Sequence, residues 1–133
     1  NPIVAHEFLG SSVEGKTVLI IDDMISSGES MLDVAKELKR RKARKVFICA
    51  TFGLFTNGLA KFDEYYEKGW IDRVITTNLN YRLPELLTKE YYIEANMSKY
   101  LASIMDIINH DVSVEKVRSS NEKIMDLMKR VNQ

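Results

Sequence analysis

One cysteine, two histidines, two prolines and one tryptophan in 133 residues leave several kinds of chemistry without material. The lone Cys49 cannot close an internal disulfide or build a cysteine-rich metal cage, so a reducing, cytoplasmic setting is expected. His6 and His110 each lack a second histidine or a carboxylate at metal-ligand spacing, and both read as structural. Surplus charge is missing too: 19 basic side chains face 19 acidic ones, so no global field draws the chain onto nucleic acid or an anionic membrane. No apolar run approaches the roughly 20 residues of a membrane span, and no basic flank with an apolar signal core opens the chain. What is present is the mixture of a folded protein. Apolar residues at 45% and charged residues at 29% exclude disorder, and the length suits one domain with an appendage.

Short apolar and β-branched runs recur at "IVAHEFL", "TVLIID", "KVFICATF", "DRVITT" and "YYIEA", each of strand length. Helical spacing alternates with them. Met31, Val34, Ala35 and Leu38 predict a helix over residues 29–42, and Phe55, Leu59, Phe62 and Tyr66 predict a second that Gly69 stops. Met97, Leu101, Ile104 and Ile108 predict a third. This alternation predicts parallel βαβ units, with "TVLIID" and "KVFICATF" as buried central strands. In the tail, Val114, Val117, Ile124, Met128 and Val131 span under three heptads, too few to argue a coiled coil, and predict a helix packed on this subunit or a neighbour, with a frayed terminus as the alternative. The predicted organisation is an α/β domain over residues 1–110, its Rossmann-like, mostly parallel sheet flanked by helices, with a helical extension over residues 111–133.

In open sheets of this kind ligands bind beyond the carboxyl ends of the strands, which places Asp22, Asp23, Thr51 and the loop around Asn78 at one rim. Two aspartates ending a buried strand need partners, because a desolvated carboxylate is costly. They suit a sugar cis-diol or a divalent cation, although capping of loop amides would also employ them. The loop that follows holds Ser26, Ser27, Gly28, Glu29 and Ser30. Its glycine lets backbone amides reach a ligand, and it opens a helix whose first amides lack partners, a combination suited to phosphate. The competing reading is a capping box of Ser26 with Glu29, or of Ser30 with Asp33.

Other segments read more plainly. "KRRKARK", residues 39–45, is expected to be a solvated helix end complementing the helix dipole rather than a nucleic-acid patch. Cys49 is expected in the core. "TFGLFTNG" and "TTN" place small polar residues on the rim, where turn chemistry or a polar, phosphorylated sugar-like ligand would use them.

"VLIIDDMISSGES", residues 18–30, resembles the phosphoribosyl-diphosphate (PRPP) motif of type I phosphoribosyltransferases and ribose-phosphate pyrophosphokinases. "VEGKTVLIIDDMI", "ATFGLFTNGLAKF", "VITTN" and "MSKYLASIMDIIN" are similar in order and spacing to the C-terminal half of the pyrophosphokinases. The resemblance implies that Asp22 and Asp23 take the ribose hydroxyls and that residues 26–30 wrap the 5-phosphate. It implies transfer of the diphosphoryl group of ATP to ribose 5-phosphate, with Mg²⁺, in a cytoplasmic homo-oligomer. The ATP contacts and the catalytic Lys and Arg are then expected on a segment outside this chain, which would be one part of a longer enzyme. The chain departs from the motif at Ser26, where an acid is usual, at Ser27 and Ser30, where threonines are usual, and at Glu29, where a small residue is usual. The alternatives are a phosphoribosyltransferase and a non-catalytic regulator of the same fold. A receiver-type signalling domain fits least, because "KVFICATF" ends in Thr51 and Phe52 rather than an aspartate.

Overall fold

A computed structural model describes residues 10–110 and 120–131. The elements run β1 (Thr17–Ile25), α1 (Glu29–Arg40), β2 (Lys45–Gly53), α2 (Ala60–Glu67), β3 (Arg73–Thr77), a 3₁₀ turn (Leu86–Thr88), β4 (Tyr92–Ala95), α3 (Ser98–Asn109) and α4 (Ser120–Val131). The expected strand at "IVAHEFL" and the part of the tail over residues 111–119 lie outside the described residues, as does His6. The chain forms two compact units divided between Asn96 and Met97.

The four strands of the first unit are parallel and ordered as in the sequence, β1-β2-β3-β4. The crossovers between successive neighbours carry α1, α2 and the 3₁₀ turn, and Leu32, Phe62 and Leu86 from these three join one core against one face of the sheet. Register lines up Ile20, Ile48, Val74 and Tyr92 across that face, and Ile48 and Val74 are fully buried. The opposite row, Ile21, Cys49, Ile75 and Ile93, is half-buried or exposed. An apolar run in β1 and β2 therefore does not mean burial on both faces here, and Cys49 lies half-buried rather than in the core, with burial pushing its thiol pKa up.

The core beneath the helices gathers Ile25, Leu32, Val46, Ile48, Phe62, Ile71, Val74, Leu86 and Tyr91. Met31, Leu32, Ala35 and Leu38 are the buried face of α1, close to the predicted stripe. This helix stops two residues before its expected end. Ala43 N–H donates to Leu38 O and Lys42, at φ 64°, donates to Lys39 O, a left-handed closure that usually uses glycine. The second helix closes similarly at Gly69, as predicted, with Trp70 N–H bonded to Tyr65 O. It begins later than expected: Phe55 sits before it in a left-handed turn, φ 47°, and reaches the core from the loop, edge-on to Phe62 at 5.1 Å. Both phenylalanines are buried, which is why a helical spacing fitted residues that share a core but not a helix.

The basic segment over residues 39–45 is engaged locally. Lys39 pairs with Asp72 at 2.9 Å, Arg40 and Arg41 both bind Glu37, Lys42 reaches Glu14, and Arg44 donates to Thr17 Oγ1. His110 closes α3 against Asp106, a carboxylate one helical turn back, which corrects the expectation that it lacks a carboxylate at such spacing. Among the described residues no helix is long and apolar enough to cross a membrane.

Candidate functional site

Because all four strands are parallel, their carboxyl ends share one rim, and β1 brings Asp22 and Asp23 to it. Both carboxylates are exposed there, so the desolvation cost inferred from the sequence does not arise. As neighbours in a strand they leave the backbone toward opposite faces. Asp22 lies in register with Ala50, Thr76 and Glu94, and its Oδ1 accepts the Asp23 amide at 2.8 Å.

After Ile25 the chain turns sharply. Ile25 O accepts the amides of Leu54 and Phe55, and Ser26 O accepts that of Thr56, fastening this turn to the β2–α2 loop. Gly28 then starts α1 at φ 81°, and no side chain caps the helix. The capping-box reading is thereby excluded. The first helical bond runs from Leu32 N–H to Gly28 O, which leaves the amides of Glu29, Ser30 and Met31 ahead of the ladder. Only a long contact, 3.4 Å, joins the Glu29 amide to Ser27 Oγ. Ser26, Glu29 and Ser30 are exposed around these amides, and Gly28 is buried against Phe62. A helix start of this kind presents partial positive charge to an anion.

The other rim segments have internal duties. Thr76 is buried with its hydroxyl 2.9 Å from Tyr92 OH, and Thr77 Oγ1 donates to Thr51 O at 2.6 Å. Asn78 reaches Asn96, and Asn80 donates to Gly53 O at 2.8 Å. Arg82 pairs with Glu94 beside them. Turn and cross-strand bonding thus accounts for the polar residues at "TTN", and the open groups concentrate in residues 22–30. A groove of about 540 Å³ lined by Lys36, Lys39 and Trp70 lies on the helix side, away from this rim. Sequence reasoning missed two residues of the site: Phe62 beneath Gly28, and Lys61, which pairs with Glu29. Phe62 belonged to a legible apolar stripe, whereas nothing in the spacing of Lys61 signalled a partner 32 residues away.

The phosphoribosyl transferase domain family matches residues 2–82, which include the whole of this loop. The chain belongs to that family. Similar proteins include the ribose-phosphate pyrophosphokinase of Mycoplasmopsis pulmonis, 34% identical over 106 residues and covering 75% of this chain and 32% of the relative. The orotate phosphoribosyltransferase of Oceanobacillus iheyensis is 38% identical over 82 residues, 62% of this chain and 39% of the relative. The phosphoribosylpyrophosphate synthetase of Mycobacterium smegmatis shares the fold, with a TM-score of 0.67 over 77% of this chain and 33% of that one, at 23% identity. The chain spans about a third of the length of the pyrophosphokinase and the synthetase. The fold is that of the type I phosphoribosyltransferases, as the resemblance implied.

Proposed function

We propose that this chain is the ribose 5-phosphate-binding part of a ribose-phosphate diphosphokinase, which moves the diphosphoryl group of ATP to the 1-hydroxyl of ribose 5-phosphate. The observation that carries this reading is the reach of the similarity. The family match stops at residue 82, but the pyrophosphokinase of Mycoplasmopsis pulmonis aligns over 106 residues and that of Shewanella oneidensis over 107.

In this reading Asp22 and Asp23 accept hydrogen bonds from the ribose hydroxyls. The amides of Glu29, Ser30 and Met31, with the hydroxyls of Ser26, Ser27 and Ser30, surround the 5-phosphate. Such a site contributes orientation, and phosphoryl transfer depends mostly on orientation and on offsetting charge. Among the described residues no three His, Cys, Asp or Glu side chains come together to cage a metal. That fits Mg²⁺, which typically takes one or two carboxylates and completes its shell with phosphate oxygens and water. In this reading Asp22 or Asp23 would supply such a carboxylate, and the ion when bound would offset charge on the phosphoryl oxygens. Catalytic groups and the ATP site are assigned to the remainder of a longer, cytoplasmic and homo-oligomeric protein, so this chain alone is expected to be inactive.

The orotate phosphoribosyltransferase relative favours a second reading, in which the same site binds PRPP as a donor. An amide NMR titration with ribose 5-phosphate, controlled by phosphate and by ribose, tests the shared site. Shifts centred on residues 22–30, at lower concentration than either control requires, are expected. A loop unresponsive both in the wild type and in Glu29→Gln would sink both readings. Turnover by the full-length protein separates them: PRPP formed from ATP and ribose 5-phosphate supports the first, PRPP consumed with a base supports the second.

A further inference from the structure

Glu29 is the residue of the loop that suits a phosphate least, since it begins α1 among the amides a dianion would approach. The compensating charge comes from outside the loop. Lys61, in the first turn of α2, donates from Nζ to Glu29 Oε1. A cation there faces the positive end of the α2 dipole, an unfavourable position that the Glu29 carboxylate offsets. That carboxylate, helped by Tyr65 and Asp33, raises the Lys61 ammonium above its usual range.

The two helix starts are also fixed to one another. Phe62, the residue after Lys61, is fully buried directly beneath Gly28, where an added Cβ would lie 2.3 Å from the ring. The backbone that carries Lys61 therefore cannot drift from the loop without opening the core.

We propose that Lys61 is a positioning residue for the loop: it neutralises Glu29 and draws the carboxylate toward α2, so that a loop containing an acid still accepts a phosphate dianion. The inference rests on reading residues 26–30 as the 5-phosphate site.

Titration of the whole chain with ribose 5-phosphate at low ionic strength, alongside Lys61→Met, Lys61→Arg, Glu29→Gln and the Glu29→Gln/Lys61→Met pair, tests it. Lys61→Met is expected to weaken binding about threefold to tenfold, because one uncompensated charge then faces the dianion, while weak binding of uncharged ribose stays unchanged. Lys61→Arg should keep the wild-type affinity, and the double variant, whose pair is again neutral, should recover it. Circular dichroism checks that each variant is folded. Wild-type affinity in Lys61→Met would overturn the proposal. So would a double variant as weak as Lys61→Met, which would make Lys61 a phosphate contact in its own right. A silent wild type beside a responsive Glu29→Gln would overturn the role of Lys61 but keep the site, whereas silence in both would remove the site as well.

Discussion

Gly28 answers two demands at once. Its φ of 81° lies where side chains are strained, and the space its Cβ would need is filled by the Phe62 ring. Gly58 has a similar φ of 74° but open space around it. Gly28→Ala should therefore cost about 2–4 kcal/mol, strain plus overpacking, and Gly58→Ala only about 1 kcal/mol of strain. Urea unfolding midpoints at constant slope measure both, and equal losses would show that Phe62 yields easily. Of these features the sequence disclosed only the glycine. A requirement for close amide approach is legible in "SSGES", but the aromatic floor arrives from a helix far along the chain.

At the level of elements, the end of α1 holds a strongly perturbed carboxylate. Hydrogen bonds from Arg40 and then Arg41 lower Glu37 from 4.5 to about 2. A lowered folded-state pKa stabilises above the unfolded value, so this contribution is complete above about 4.5 and disappears as the pH falls through about 2. The difference in melting temperature between the wild type and Glu37→Gln should be full near neutrality and vanish by that lower limit. A difference that persists in acid would assign the effect to helix packing. The size should be small, because the pair is exposed and screened. Element type was legible here from apolar periodicity, while both helix boundaries moved. The left-handed residue that ends α1 is a lysine, and Phe55 mimics a helical position from a loop.

At the scale of the whole molecule, burial is uneven. The described core lies in the first unit, and α3 has no buried residue. Amide hydrogen exchange should accordingly be slowest in β2 and β3 and much faster in α3 and α4, since local opening exposes little apolar surface there. Protection of α3 equal to that of β2 would contradict this distribution. The described part of α4 is helical as its spacing predicts and carries apolar Ile124, Leu127, Met128 and Val131, all exposed within this chain.

The sequence by itself determined the parallel α/β alternation, the rim at which Asp22 and Asp23 emerge, and the hydroxyl and glycine content of the loop. Each depends on neighbours within one strand, turn or helix, where periodicity and residue type are sufficient. Tertiary structure decided that Asp22 and Asp23 are exposed, that Gly28 rather than a serine begins α1, and that Thr76 and Thr77 serve the sheet. It also decided that Lys61 meets Glu29. Such contacts join residues brought together by strand register and helix packing, and no local pattern encodes where two distant segments will meet.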